Sequence, residues 1–575
     1  MFRISRFDFN NDAPKAIAGS HAFQTEGMGI NWPVVYVINN DMEAYVGETL
    51  SASRRIEQHL QNEDRRRLTE IRLITDETFN KSVILDLESF LIRYMSADGR
   101  FSLQNGNNGL RNHEYYERST YEKEFRIIWR ELKKHGLVNR TTEEIENSEM
   151  FKYSPYKVLG DEQLAVQEQI IKAFSEAGTE DRQFTVIVNG GAGTGKTILA
   201  VYLMKFFSDL NTFRDEYDND EDISEEDELF LLALKKIRNI KKIGIVLPQK
   251  SLRLSVGDVF ESVQGLSKDM VLSPSDVADD YAKTKVPFDL LIVDEAHRLK
   301  YRERGHLSDY KTYSRCNLEL GLDEINGNEL DWIMGCSRNR ILFRDELQLV
   351  RPCDIDRDRF IQTTEDKSDI VFRVPLSTQF RCIGGNGYID FVKAIFSDEL
   401  PEPYQSDDYD LRLYTDCNMM INDIKKLDDE YGLCRTVAGF AWKWNKKGPS
   451  ILIQDKAYWW NRTNEKWITS KYAHEEIGCI HTVQGYDLNY AGVIIGEDLK
   501  YDPVKNKLYA DKKSYHDQQG KSGVANDPEA LKELVINIYL TLLTRGIRGT
   551  FVYICNDELR EHLKGCFSRV VEPIH

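Results

Sequence analysis

The sequence predicts an α/β chain in which a small α+β unit precedes two lobes, each built on a parallel sheet. Three observations lead there. The apolar run Phe184 to Val188, a glycine-rich loop and the helical pattern Ile198 to Phe207 follow one another as strand, loop and helix. A second apolar strand, Phe288-Asp289-Leu290-Leu291-Ile292-Val293, ends in Asp294-Glu295-Ala296-His297. Near the start, strand-like alternation at Val34 to Ile38 and Ala44 to Gly47 leads into helical patterns at Ser51 to Leu60 and Val83 to Tyr94.

The loop Gly190-Gly191-Ala192-Gly193-Thr194-Gly195-Lys196-Thr197 has the full G-x-x-x-x-G-K-T pattern of a P-loop. Its glycines let backbone N–H groups turn around phosphate oxygens, and the following helix adds positive potential at its N-terminus. Lys196 would reach the outer phosphates and the Thr197 hydroxyl would sit on Mg²⁺. A nucleoside triphosphate is the implied ligand. The acid pair fits the same site: Asp294 would hold Mg²⁺ through water, and Glu295 would orient and deprotonate the attacking water.

Further segments, in order, resemble a superfamily 1 helicase motor with two RecA-like lobes closing on ATP. Leu159-Gly160-Asp161-Glu162-Gln163 resembles the adenine-reading segment, with Gln163 as the reader. Leu247 to Leu252 resembles the first nucleic-acid-contacting motif. Phe343-Arg344-Asp345-Glu346-Leu347-Gln348 resembles the motif whose glutamine, here Gln348, senses the γ-phosphate. Gln379-Phe380-Arg381 and Leu543-Thr544-Arg545-Gly546 resemble the two second-lobe motifs that each supply an arginine. His481-Thr482-Val483-Gln484-Gly485 resembles the motif linking ATP state to strand contact.

Within that superfamily the chain is similar to a bacterial and archaeal helicase-like ATPase family related to the Schlafen motor domain. The similarity runs over roughly residues 150–560 and rests on Gln379 to Tyr388, Ala438 to Trp444, His481 to Leu499 and Asn537 to Gly546. A guanidinium from the second lobe neutralises phosphoryl charge only when the lobes close, so Arg381 and Arg545 are the candidate fingers. Only 41 residues separate Leu252 from Asp294, and 99 separate Arg381 from His481, too few for the bulky insertions of large unwinding helicases. The reading is a minimal motor suited to single-strand translocation or DNA-triggered switching.

In the N-terminal unit Arg55 and His59 lie four residues apart on one helix face. Glu88 falls on the next helix, and Asn105 follows in Gln104-Asn105-Gly106-Asn107-Asn108-Gly109. With Tyr36 and Tyr45 in the two strands, this resembles a GIY-YIG nuclease domain; Val34 stands where the family's first motif opens with glycine. The resemblance implies that Glu88 binds Mg²⁺ or Mn²⁺, that Arg55 stabilises charge on the scissile phosphate, and that Tyr36, Tyr45 or His59 moves the proton. Which of these three is the base stays open. Arg65-Arg66-Arg67 is a candidate nucleic-acid contact beside that site.

The expected domains are an extension at 1–30, the nuclease domain at 31–113, a helical connector at 114–158, a first lobe at 159–355 with an acidic insertion at 209–230, and a second lobe at 356–575. Tyr115, Tyr116, Tyr121, Phe125 and Trp129 would anchor the connector. The net charge of −18 is awkward for a nucleic-acid enzyme, but ten carboxylates lie between Asp215 and Glu228, where a solvated insertion is the simplest account. Nucleic acid would then bind in local grooves. Nine cysteines without a C-x-x-C pair point to reduced thiols in a cytoplasm and against structural zinc. No apolar stretch is long enough to span a membrane. The expected partners are nucleic acid, DNA before RNA, with homo-oligomers or accessory defence proteins compatible. The expected activity is an ATP-dependent nuclease-helicase in antiviral defence; the rival is an ATP-driven nucleic-acid sensor whose nuclease-like domain only binds DNA.

Overall fold

The computed structural model describes residues 2–20, 32–105, 115–177, 182–191, 193–212, 237, 240–302, 307–345, 348, 353–377, 382–445, 447–454, 456–463, 467–483, 486–518, 520–521, 524 and 526–573. Ala192, Arg381, Gln484, Gly485 and the acidic run from Asp215 to Glu228 lie outside the described residues. The chain divides into two compact units, one of residues 1–179, 197–245 and 254–271, the other of residues 180–196, 246–253 and 272–575.

In the first unit a five-stranded sheet has the order β1-β4-β2-β3-β5, from β1 (Arg3–Asp8), β2 (Val34–Asn39), β3 (Glu43–Thr49), β4 (Glu70–Thr75) and β5 (Ser102–Leu103). Residues 3–8, expected in an N-terminal extension, are the outer strand of this sheet, antiparallel to β4 from Arg3 opposite Thr75 to Asp8 opposite Glu70. The β2–β3 turn closes because Asn40 Oδ1 accepts from the N–H groups of Met42 and Glu43, at 2.8 and 2.7 Å. Val34, Tyr36 and Ile38 join Ile56, Ile71 and Leu73 in one core.

The expected helices are present as α2 (Ala52–Gln61) and α3 (Lys81–Asp98), after a short α1 (Ala13–Ala18). Asn80 caps α3 by accepting from Val83 N–H at 3.1 Å, and Gly99 ends it at φ +70°, a left-handed turn that favours glycine. The connector packs on α3 through α4 (Arg118–Lys134): the Trp129 ring meets Phe90 edge-on at 6.1 Å. Asp98 accepts from the N–H groups of Asn139 and Arg140, at 3.0 and 2.7 Å. Phe125 and Trp129 are the buried anchors, whereas Tyr116 is 85% exposed and anchors nothing.

In the second unit parallel strands run in the order β9-β6-β8-β7, from β6 (Phe184–Gly190), β7 (Phe288–Val293), β8 (Ser337–Arg344) and β9 (Ile370–Leu376). Parallel registry places the C-terminal ends of these strands at one edge, and the P-loop and the acid pair both follow such ends. A second sheet, six strands all parallel, has the order β12-β11-β13-β14-β10-β15. Its strands are β10 (Asp410–Tyr414), β11 (Arg435–Ala438), β12 (Gly478–Cys479), β13 (Leu488–Ile495), β14 (Gly546–Ile554) and β15 (Val570–Val571). Trp460 and Trp467 are core residues of this lobe, and Trp444 is exposed. The nine cysteines form no disulfide. Among the described residues no helix is long and apolar enough to cross a membrane.

Just past β13, fully buried Asp498 accepts from Tyr539 Oη on the helix Pro528–Leu543, and that oxygen accepts from Gly496 N–H at 2.9 Å. Burial, only partly offset by the Tyr539 hydrogen bond, pushes the Asp498 carboxyl up to about 7. The folded state therefore keeps a proton that the unfolded chain releases near pH 4, so this group's contribution to stability falls as pH rises from about 4 through 7. Across that window Asp498→Asn should gain on the wild type by on the order of 1–4 kcal/mol. Thermal unfolding of both proteins at pH 5 and pH 8.5 checks this; an offset that does not move with pH would refute it.

Candidate functional site

The P-loop's geometry follows from its glycines. Gly193 and Gly195 have φ near +80°, where a side chain is strained. A Cβ on Gly190 would fall 2.7 Å from Thr194 Oγ1 and 3.1 Å from the Leu376 carbonyl, so only glycine fits there. Lys196 is buried, and its ammonium donates to the Gly190 and Gly191 carbonyls at 2.7 Å each and to Asp345 Oδ2 at 3.3 Å.

From Asp345 a hydrogen-bonded chain continues into the second lobe. Gln348 Nε2 donates to Asp345 Oδ2 at 2.7 Å, and the buried Arg545 guanidinium donates to Gln348 Oε1 at 3.4 Å. A branch runs to the acid pair: Asp345 N–H donates to His297 Nδ1 at 3.2 Å, and His297 Nε2 lies 3.2 Å from Glu295 Oε2. Because Nδ1 accepts, the ring hydrogen sits on Nε2 and faces Glu295. Burial pushes the Glu295 carboxyl up, but His297, then Arg298 and Lys196, outweigh it and hold it well below the usual carboxylate range. Glu295 is thus ionised. Asp294 is fully buried, its Oδ1 accepting from Glu295 N–H at 2.9 Å. A cavity of about 540 Å³ opens beside the loop, lined by Gly190, Gly191, Thr194, Arg344, Asp345 and Lys393 among others.

These residues suit a magnesium nucleotide. The loop rejects side chains where phosphates would approach, and a carboxylate already occupies the anion position on Lys196.

The first unit gathers a second cluster. Tyr36 Oη lies 2.6 Å from His59 Nε2, and the Tyr45 and His59 ring centroids are 5.0 Å apart. Burial first, then Tyr45, raises the Tyr36 phenol well above its usual range, against Arg55 and Arg65. Glu88 on α3 is pushed up to about 8 by burial and then by Glu48, with Lys81 and Arg55 opposing. Glu48 itself pairs with Lys81. Asn105 uses both ends of its amide on the backbone of β3, accepting from Val46 N–H at 3.0 Å and donating to Val46 O at 2.8 Å.

Glu88 and Glu48 are close enough for the charge of one to act on the other. Among the described residues no group of three or more His, Cys, Asp or Glu side chains converges for a metal.

The sequence model for Schlafen group 3 DNA/RNA helicase domains matches residues 183–556. The chain belongs to that family. An uncharacterized protein of Saccharomyces cerevisiae is 25% identical to it over 411 residues, 66% of this chain and 83% of the yeast protein. A Bacteroides Pif1 helicase in complex with ADP-AlF3 and single-stranded DNA aligns over 69% of this chain and 92% of its own, at 10% identity and a TM-score of 0.26. A Candida albicans Pif1 helicase aligns at 12% identity and a TM-score of 0.22 over 47% of this chain. That alignment spans 54% of the Candida chain.

Within the Schlafen-family domain, Lys196, Glu295, Gln348 and Arg545 come together through Asp345 and His297, with Asp294 beside them. Asp345 and His297 stood in the motifs without a role, and nothing local in the sequence gives them one. Thr197, the second residue of the helix Lys196–Thr212, belongs to the first compact unit, as does Gln163, whose Oε1 accepts from Gly160 N–H at 3.1 Å. Arg381, Ala192, Gln484 and Gly485 are not described. Outside the family match, Tyr36, Tyr45 and His59 cluster, and Arg55 and Glu88 are near enough to interact electrostatically. Asn105 serves the backbone, and Glu48 and Arg65 are additions.

The tightest fit in that cluster is testable. A Cβ on Gly47 would fall 2.3 Å from Tyr36 Oη, and Tyr36 is buried with no room to retreat. Gly47→Ala should therefore destabilise the protein by about 1–3 kcal/mol, read as a lower denaturant midpoint. An unchanged midpoint would show that β2 and β3 do not pack this closely.

Proposed function

We propose that the chain is an ATP-dependent nucleic-acid motor whose N-terminal domain cuts phosphodiesters with a divalent metal. The observation that carries the motor reading is the continuous chain Lys196–Asp345–Gln348–Arg545, which ties the nucleotide's seat to an arginine of the second lobe. Lys196 binds the outer phosphates in place of Asp345. Magnesium, when bound, neutralises phosphate charge, and Asp294 is its proposed ligand through water. Glu295, ionised, orients the attacking water, and His297 fixes the carboxylate. Arg545, with Arg381, stabilises charge on the transferred group, and Gln348 relays phosphate occupancy to Arg545.

For cutting, Glu88 is the proposed ligand of Mg²⁺ or Mn²⁺, and the ion would supply positive charge at the phosphate. Arg55 stabilises the developing charge, and the tyrosine–histidine cluster handles the proton. Defence against invading DNA is the setting that a cutter coupled to a motor suits. A second reading, in which the N-terminal domain binds nucleic acid without cutting, is favoured by the sparse ligand set at Glu88 among the described residues.

Lys196→Ala should abolish ATP hydrolysis, and Glu295→Gln should retain nucleotide binding while blocking turnover; near-normal turnover by either would sink the motor assignment. Arg381→Ala and Arg545→Ala should each lower kcat by ~10³-fold with little loss of nucleotide affinity, which single-turnover assays and binding titrations separate.

Glu88→Ala should remove metal-dependent cutting and Arg55→Ala should slow it at least ~100-fold, both with ATPase activity intact. Digestion of single-stranded, duplex and forked DNA, and of RNA, with Mg²⁺ or Mn²⁺ reads this out. Wild-type protein that cuts none of them supports the binding-only reading.

A further inference from the structure

Three candidate bases surround the N-terminal site, and one contact bears directly on His59. Arg65 leaves α2 through a turn in which Asn62 accepts from Arg65 N–H at 3.3 Å. Its guanidinium carbon lies 3.8 Å from the Tyr45 ring centroid, and it donates to His59 Nδ1. A guanidinium has donors and no acceptor, so Nδ1 must present its lone pair. His59 is buried, and its proton affinity is held well below that of free imidazole by burial first, then by Arg65 and Arg55. The ring is therefore neutral and carries a single N–H. That hydrogen sits on Nε2, 2.6 Å from Tyr36 Oη.

We propose that Arg65 is a positioning residue that locks His59 as its Nε2–H tautomer, making His59 a hydrogen-bond donor to Tyr36 and removing it as the base. Both imidazole nitrogens are committed: one faces a cation, the other already holds its hydrogen. Arg55 and Arg65 lie near enough to act electrostatically on the Tyr36 phenol. With His59 donating to that oxygen, the Tyr36 hydroxyl hydrogen points away from Nε2, and it is what remains to meet a water or a phosphate oxygen. The catalytic consequence rests on the nuclease reading; the tautomer does not.

The test is ring-¹⁵N NMR of histidine-labelled full-length protein, with His59→Gln identifying the signal among the eleven histidines. The wild type should show neutral His59 with the hydrogen on Nε2. Arg65→Lys, also donor-only, should keep that tautomer and cut nucleic acid within a few-fold of wild type. Arg65→Glu places an acceptor against Nδ1, so it should move the hydrogen there and slow cutting ~100-fold or more. A wild-type signal from the Nδ1–H form or from imidazolium at neutral pH overturns the proposal, as does an unchanged tautomer in Arg65→Glu. Expected tautomers in a protein that cuts nothing refute the nuclease reading and leave the lock standing. Normal cutting with the opposite tautomer does the reverse.

Discussion

A buried ammonium has to be paired, and the motor half of this protein is organised around that requirement at Lys196. Two loop carbonyls and the Asp345 carboxylate supply the pairing. Asp345 also accepts from Gln348, and Gln348 accepts from Arg545, so the partner of the P-loop lysine is held by the second lobe. A phosphate that takes Lys196 from Asp345 changes the charge seen by Gln348 and Arg545 without touching either. Coupling between nucleotide occupancy and the second lobe then needs no long mechanical path. It needs one carboxylate with two competing cationic or amide partners.

The N-terminal half solves a different problem. Its polar cluster is wedged between a twisted sheet and α2, where Tyr36 and His59 are almost fully buried. Each polar atom there must find a partner inside, and the partners found are one another: phenol to imidazole, imidazole to guanidinium, guanidinium over a second phenol ring. Such a set has few alternative arrangements, which suits a site whose atoms must be placed before a substrate arrives. The connector contributes to this rigidity from outside. Trp129 and Phe125 cover α3, and Tyr156 Oη donates to the Asn105 carbonyl at 3.0 Å, fixing the residue that pins β3.

What could be read beforehand was whatever local order encodes. Strand, loop and helix around Lys196, the acid pair after β7, and the β2–β3 hairpin each follow from residues adjacent in the chain. Asp345 was visible only as a letter in a motif, because its role depends on a lysine 149 residues away. Glu48 was passed over because a carboxylate on an edge-side strand looks solvated until α3 brings Glu88 against it. β1 was missed for a related reason: Arg3-Ile4-Ser5-Arg6-Phe7-Asp8 is half charged, which an outer strand tolerates, and charge of that kind reads as a tail. The Asn105 amide is engaged with the backbone of β3, a pairing that no residue adjacent to it in the chain announces.

The depressed proton affinity of Glu295 bears on the water-orienting role proposed for it. A carboxylate held well below its usual range by His297, Arg298 and Lys196 is a good acceptor of a hydrogen bond and a poor acceptor of a proton. In that state it can orient a water but gains little by deprotonating it. Lys196 contributes to the depression, and phosphates on Lys196 place negative charge against the same field. The nucleotide would thereby raise the basicity of the group proposed to act on it, with the His297 ring 3.2 Å from that carboxylate.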